Sequence, residues 1–463
     1  MSELVIVTNR GPFSFASQAD EVAVGRVAGG LVPSLAAALE GERALWIAAA
    51  LSEGERELAA AASAGPMQGL EVDFVAVPDE VAAAAYRVIA NGTLWFLHHG
   101  LFDRTHRPRI DRHWHEAWEH YRSYNTLFAD EIARRASDGA TVLVNDYHLS
   151  LVGGRLAELR PDLATVYFAH TPFCDPDELR VLPRWAAAEL VAGMASCGVV
   201  GFHTWRWADN FRRCATELLA DAPEVLVAPL GVDAPALAAL AATPAVERAR
   251  EDLRATVDGR RVILRSDRLE LSKNIVRGFL ALEELLEDEP GLADSVVFIA
   301  HLYPSRAELP EYLSYRNEVE RTVARLNERY GAPGRVPVVL EISDDHDASV
   351  AELSSFDVLV VNALRDGMNL VAKEGSVLNR RDGVLCLSRE VGAFAELGEA
   401  AIAVEPFDIS GTAAAIRRAL AMPTGDRHAR ALRLAELSAR HRPAEWLAEV
   451  VAQARPGRVL RPV

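Results

Sequence analysis

Cysteine is scarce in this 463-residue chain: Cys174, Cys197, Cys214 and Cys386 are scattered, with no C-x-x-C pair. That spacing offers neither a zinc ligand set nor a disulfide framework, and it fits a reducing cytoplasm. Long apolar runs are missing too. The longest, Leu190 to Phe202, is shorter than the ~20 residues that cross a bilayer. It carries Gly193, Gly198 and Gly201 and reads as helix end, turn and buried strand, which excludes a membrane role. Basic residues are outnumbered, 49 Lys and Arg against 66 Asp and Glu, for a formal charge of −17. Such a balance argues against holding nucleic acid by general phosphate neutralisation, though not against a few cations gathered around one phosphorylated small molecule. The opening Met-Ser-Glu leads straight into Leu4-Val-Ile-Val, a strand rather than a signal peptide. No G-x-G-x-x-G turn with an acid about twenty residues later is present, which removes the main support for a nicotinamide oxidoreductase. What remains is a soluble, cytoplasmic chain of ordinary globular composition, open to homo-oligomer formation.

The chain does have short apolar runs in abundance. Leu4–Val7, Ala44–Ala48, Thr141–Val144, Ala164–Ala169, Val199–Phe202, Val225–Val227, Val262–Leu264, Val296–Ile299, Val336–Leu340, Val358–Val361, Val384–Leu387 and Ala401–Val404 do not alternate with polar residues. Strands buried on both faces of a parallel sheet read this way. Amphipathic helices lie between them. Lys273–Glu287 is one, with Ser272 placed to cap its start and Pro290-Gly291 to stop it. About twelve strands exceed one doubly wound sheet, so the chain divides near Pro229–Asp233. Residues 1–230 form one Rossmann-like domain and 231–440 a second. Residues 441–463 are a C-terminal helix able to pack back on the first.

Several polar motifs follow the expected strands, where doubly wound sheets bind ligands. Thr8-Asn9-Arg10-Gly11 follows the first strand, and Gly29-Gly30 opens a helix farther on. Arg268 and Lys273 flank an expected helix start, so two cations and a positive dipole end would meet one anion. In Arg365-Asp366-Gly367-Met368-Asn369-Leu370-Val371-Ala372-Lys373-Glu374, the backbone after Gly367 suits a phosphate and the two carboxylates suit sugar hydroxyls. Asp146 and His170 end two neighbouring strands and suggest a substrate site. Tyr86, Trp95, His98 and His99 form an aromatic and imidazole patch that reads, in isolation, as core.

Together these motifs resemble the trehalose-6-phosphate synthase family of retaining glycosyltransferases, from Val5 to about Asp408 and in the family's order. The resemblance implies an α/β GT-B fold, two doubly wound Rossmann-like domains facing across a cleft. It implies a metal-independent hexosyltransferase, without cofactor, that moves glucose from a nucleotide donor to glucose 6-phosphate and makes α,α-trehalose 6-phosphate. It assigns Arg10, Tyr86, Trp95, Asp146 and Arg306 to the acceptor. It assigns Gly30, Arg268, Lys273, Asp366, Met368, Asn369, Leu370, Val371 and Glu374 to the donor. His170 joins Asp366, Arg268 and Lys273 at the reacting centre. No D-x-D pair accompanies the clamp, so no metal ion is called for there.

Three departures from the family pattern stand out. Ile47-Ala-Ala-Ala50 replaces a tryptophan and glycine at the acceptor wall, and Glu270-Leu271 replaces a more usual Asp-Tyr. Ser343-Asp344-Asp345-His346-Asp347 stands where uracil-donor members have an aromatic residue near the base. A carboxylate such as Asp344 accepts from guanine N1–H and N2–H₂, which places GDP-glucose ahead of UDP-glucose. The rival readings are a pseudo-glycosyltransferase joining cyclitols, a glucosylglycerol-phosphate synthase, and a non-catalytic sugar-phosphate sensor.

Overall fold

The computed structural model of the protein describes residues 3–18, 21–26, 31–39, 43–60, 66–67 and 70–463. Two compact units emerge: Met1–Leu230 together with Pro443–Val463, and Gly231–Arg442. The Gly30 motif falls outside the described residues.

In the first unit the strands are β1 (Leu4–Thr8), β2 (Phe13–Gln18), β3 (Glu21–Arg26), β4 (Ala44–Ala49), β5 (Pro66–Met67), β6 (Leu70–Val75), β7 (Thr141–Asn145), β8 (Ala164–Ala169), β9 (Val199–Phe202) and β10 (Val225–Val227). The main sheet runs β10-β9-β8-β7-β1-β4-β6-β5, parallel from β10 to β6 with β5 antiparallel at the edge. Its central strands are apolar because helices cover both faces: Val5, Ile6, Val7, Val142 and Val144 are wholly buried. The chain winds outward from β1 through β4 to β6, then returns to β7 on the other side of β1. The carboxyl ends of β1 and β7 therefore flank the topological switch point. The β2–β3 hairpin, the two-residue β5 and β6 went unread in the sequence. In β6 the polar Glu71 and Asp73 interrupt the apolar pattern, and Asp73 is buried against Arg135 at 2.8 Å.

The second unit holds β11 (Arg261–Arg268), β12 (Val296–Tyr303), β13 (Val338–Ile342), β14 (Val358–Val361), β15 (Val384–Ser388) and β16 (Ile402–Val404). They pair in the order β13-β12-β11-β14-β15-β16, all parallel. The switch point here lies between β11 and β14. Their carboxyl ends carry the Arg268–Lys273 and Arg365–Glu374 motifs.

One helix start differs from its sequence reading. The helix expected from Lys273 runs Ile275–Asp288, and Ser272 sits in a short 3₁₀ turn, Leu271–Lys273, ahead of it. Asn274 takes the junction at φ +58°, its amide donating to the carbonyls of Asn362 (3.0 Å) and Pro406 (2.6 Å). The first free amides of the helix, Ile275 and Val276, are both met by the Tyr315 hydroxyl, at 2.7 and 3.4 Å. A cap supplied from forty residues away leaves no local signature. It also means that these amides are not presented to an anion.

The C-terminal residues belong to the first unit. The helix Pro443–Ala452 packs there, and β17 (Arg455–Pro456) pairs antiparallel with the start of β8. Trp446 is its anchor: it is 2 % exposed, stands edge-on to Phe168 at 4.9 Å, and donates from Nε1 to the Ala228 carbonyl at 3.1 Å. Among the described residues no helix is long and apolar enough to cross a membrane. Trp446→Ala empties this socket and strands the Ala228 carbonyl; a loss of about 3–5 kcal/mol is expected. Urea unfolding checks it, and a change below 1 kcal/mol would show that the helix contributes little to the unit.

Candidate active site

At the switch point of the second unit, four charges are taken out of water together. Arg265, in the middle of β11, is wholly buried, and Asp267 is 5 % exposed. Arg265 Nε faces Asp267 Oδ2 at 3.5 Å, and its NH2 group reaches the Lys273 carbonyl at 3.3 Å and the Asn362 side-chain oxygen. Lys273 Nζ lies 3.7 Å from Asp267 Oδ1 and 2.5 Å from Asp366 Oδ2. Burial works against the Lys273 charge, but Asp366 and Asp267 more than offset it and raise its pKa above the ordinary lysine value. Burial also pushes Asp267 up, against the pull of Lys273 and Arg265. Two cations and two carboxylates balance, which is the condition for keeping ions inside. Arg268, at the strand end, is half exposed and stands 3.7 Å from Glu270.

Glu270 organises the neighbouring loop. Nearly buried, it accepts from Ser305 Oγ at 2.8 Å and from Arg306 at 2.8 Å. Burial alone would raise its carboxyl, but Arg306, Arg268 and Lys273 bring it down to about 2. Arg306 is at φ +40° and also donates to the Tyr312 hydroxyl at 2.8 Å. This guanidinium, assigned by resemblance to the acceptor phosphate, is therefore positioned by the acid that departs from the family pattern.

The loop after β14 is built around Asp366. Asn369 Nδ2 donates to Asp366 Oδ2 at 3.1 Å, while Asn369 Oδ1 caps the helix Leu370–Leu378 by accepting from Ala372 N–H at 3.1 Å. Asn369 makes this cap from a left-handed backbone, at φ +72°. The Leu370 and Val371 amides stand ahead of the first intrahelical bond, at the positive end of the helix dipole. The Met368 side chain packs in the apolar core and its carbonyl accepts from Ala393 N–H at 2.7 Å, so its amide is what it can offer a ligand. Gly392 lets this loop sit so close: a Cβ there would lie 2.0 Å from the Gly367 carbonyl oxygen. Glu374, one helical turn on, has its carboxyl pushed up to about 7 by burial alone. Asp344 is exposed in its loop, and its neighbour Asp345 is committed to capping the helix His346–Leu353.

At the switch point of the first unit the turn after β1 is pinned from below. Thr8 Oγ1 accepts from Trp46 Nε1 at 2.7 Å and donates to the Arg10 carbonyl at 2.5 Å; Tyr124 donates to Asn9 Oδ1 at 2.6 Å. The Arg10 side chain is left exposed and makes no ion pair among the described residues. Across the switch, Asp146 adopts φ +71°, ψ 168°, a conformation that costs a non-glycine residue about 1–3 kcal/mol. Its Oδ1 holds the His170 and Thr171 amides at 3.2 and 3.3 Å.

The His170 ring is part of a chain with a fixed polarity. Asn145 Nδ2 donates to the Val7 and Leu143 carbonyls, so its Oδ1 must accept, from His170 Nε2 at 3.0 Å. His170 Nδ1 then accepts from His203 Nε2 at 3.2 Å, and His203 Nδ1 accepts from Leu230 N–H at 3.3 Å. Burial and the neighbouring His203 hold His170 well below the usual imidazole range. Both ring nitrogens are engaged and neutral, which suits positioning of the strand end rather than proton transfer by the ring. Tyr86 is half-buried, stacked on His148 at 5.7 Å, while Trp95 is buried against His99 at 4.2 Å. Both ride on a π-helical segment, Ala85–Leu94, and the α-turn that continues it. Wide turns of this kind recur at functional sites.

Sequence reasoning missed Arg265, Asp267 and His203. A signal for the first was available, since an arginine inside Val262-Ile-Leu-Arg265 breaks an otherwise apolar buried strand. Lys273→Ala leaves Asp267 and Asp366 facing each other without their shared cation and should lower stability by about 3–5 kcal/mol. Arg268→Ala, at a half-exposed charge, should cost less than about 1 kcal/mol. Equal unfolding midpoints for the two variants would refute the four-charge unit.

The family model described as glycosyltransferase family 20 matches residues 2–455. A Mycolicibacterium smegmatis protein named trehalose-6-phosphate synthase is 34 % identical over 93 % of this chain and 88 % of its own. An Arabidopsis thaliana alpha,alpha-trehalose-phosphate synthase [UDP-forming] is 31 % identical over 97 % of this chain, which spans about half of that longer protein. Among solved structures, a Burkholderia xenovorans alpha,alpha-trehalose-phosphate synthase (UDP-forming) in complex with glucose-6-phosphate superposes with a TM-score of 0.85, at 27 % identity, over 97 % of this chain and 99 % of its own. With a match of that extent in sequence and in fold, the chain belongs to glycosyltransferase family 20 and is a glycosyltransferase.

Proposed function

We propose that the protein transfers glucose from a nucleotide donor to glucose 6-phosphate, with retention, to give α,α-trehalose 6-phosphate. The observation that carries this reading is the Lys273–Asp366 pair beside the Leu370 and Val371 amides, at the switch point of the second unit. A diphosphate arriving there competes with Asp366 for Lys273. The lysine turns to the phosphate and Asp366 is released to accept hydroxyls of the donor glucose. Arg268 adds a second, already solvated cation. As the anomeric C–O bond breaks, negative charge develops on the departing diphosphate, where Lys273, Arg268 and the two amides stabilise it; each such contact is worth on the order of 3 kcal/mol of the barrier. Met368 supplies its amide, Asn369 holds Asp366, and Glu374 takes the ribose diol. Because no carboxylate is assigned as nucleophile on the sugar's other face, the acceptor hydroxyl attacks from the leaving-group side and the departing phosphate takes its proton.

In the first unit the exposed Arg10 and half-buried Tyr86 receive the acceptor phosphate, with Trp95 behind them and Asp146 on the acceptor sugar. His170 holds the strand end through its amide and its neutral ring. In the second unit Arg306, fixed by Glu270, is a further cation suited to a phosphate.

The donor base is read by the loop at Asp344. Its exposed carboxylate favours guanine, hence GDP-glucose, while the UDP-forming names of two relatives favour UDP-glucose. A product assay with glucose 6-phosphate against GDP-, UDP- and ADP-glucose separates the two. Trehalose 6-phosphate should form fastest from the GDP donor, and a Asp344→Ala variant should lose that preference. A clear UDP preference in the wild type overturns the base reading, and no product with any donor overturns the reaction.

The raised Glu374 carboxyl adds a pH signature. Below about 7 it is mostly protonated and accepts poorly; above, the carboxylate accepts both ribose hydroxyls. The KM for the nucleotide sugar should therefore fall about tenfold between pH 6 and 8. In Glu374→Gln that slope should vanish. A flat wild-type profile, or an equal slope in the variant, would remove Glu374 from the ribose.

A further inference from the structure

Away from the charges at the β11–β14 switch point, a second polar cluster is buried at the ends of β12 and β13. His301 and Glu341 are register partners on these neighbouring strands, and Glu352 comes from the helix His346–Leu353. One donor atom from each lies within 4.8 Å of the others. His301 is 0 % exposed and Glu352 5 %, while Glu341 is half-buried and opens the cluster on one side. His301 Nδ1 and Glu352 Oε2 face each other at an ion-pair distance of 3.1 Å, outside strict hydrogen-bond geometry. His301 Nε2 also has no hydrogen-bond partner among the described residues. Ser343 donates to Glu341 Oε1 at 2.9 Å and so orients that carboxylate while leaving its other oxygen available.

Burying three such groups together with one imidazole nitrogen unmet is costly unless something between them accepts their lone pairs. A divalent cation does this for all three at once. We propose that His301, Glu341 and Glu352 form a structural metal site for a divalent transition cation of the zinc or manganese type. One nitrogen and two oxygens, with no thiolate, suit Zn²⁺ or Mn²⁺; the imidazole makes Mg²⁺ and Ca²⁺ poor matches. Three protein ligands and an opening beside Glu341 leave room for water as the remaining ligand. The Ser343 hydroxyl is the kind of outer partner that fixes a ligating carboxylate. Such a cation would tie β12, β13 and the following helix together where the loop carrying Asp344 begins. It shares no ligand with Arg268 and Lys273, so it is separate from the neutralisation of the diphosphate.

The test uses the untagged full chain, stripped with EDTA and dialysed, then titrated with Zn²⁺, Mn²⁺ and, as a control, Mg²⁺. Bound metal by elemental analysis and the melting temperature by calorimetry are read together. The expected result is one equivalent of Zn²⁺ or Mn²⁺ per chain with a raised melting temperature, and no such effect of Mg²⁺. Glu341→Gln, at the half-buried position, should fold and bind at least about tenfold more weakly. Absence of stoichiometric metal in the wild type overturns the site, as does undiminished binding in Glu341→Gln. Stabilisation that depends on pH but not on metal, and that is lost in Glu352→Gln, would instead identify an imidazolium–carboxylate pair and overturns it equally.

Discussion

Lys273 is a buried cation shared by two carboxylates, and the second unit's site is arranged around that sharing. Asp267 comes from β11 and Asp366 from the loop after β14, so one ammonium ties together the two strand ends that flank the switch point. Arg265 beneath completes a neutral set. A group held this way is costly to ionise alone and cheap to ionise in company. The arrangement is therefore a poised exchange: an incoming anion can replace one carboxylate without changing the number of paired charges.

The first unit solves a related problem without charge. Its chain of donors from Leu230 through His203 and His170 to Asn145 has a direction set by the two carbonyls that Asn145 serves. His170, held neutral by its burial, and His203 beside it link the ends of β7, β8 and β9. The strained backbone of Asp146 is supported by the two amides that its own carboxylate collects. The turn that carries the exposed Arg10 is held from below by Thr8, Trp46 and Tyr124, which fixes its backbone.

Much of this was legible in the sequence, and the parts that were not share a cause. The buried strands announced themselves as unbroken apolar runs, and the polar motifs stood directly after them, as parallel sheets require. Both switch points therefore fell where the motifs had been noticed. What escaped notice was supplied from a distance or hidden in an apolar context. Tyr315 caps a helix forty residues earlier, displacing the role expected of Ser272. Trp446 anchors the C-terminal helix through the Ala228 carbonyl, a partner more than two hundred residues away in the chain. Arg265 lies within a hydrophobic strand and gains meaning only when Asp267, Lys273 and Asn362 are near it. β6 carries Glu71 and Asp73, so its alternation obscured a strand that is buried all the same. Glu270 was visible as a departure, but its consequence, the fixing of Arg306, depends on a loop that sequence spacing does not bring together.

The π-helical stretch Ala85–Leu94 sets the angular relation between Tyr86 and Trp95. Each turn of that stretch holds more residues than an α-turn, and Asn91 and Thr93 brace it by bonding the Tyr86 and Val88 carbonyls five residues back. Losing a residue between them, or relaxing to ordinary α winding, would change the angle between the two rings about the axis. The length and winding of this stretch thus set the orientation of the two rings, which an insertion or deletion would alter without changing either aromatic side chain.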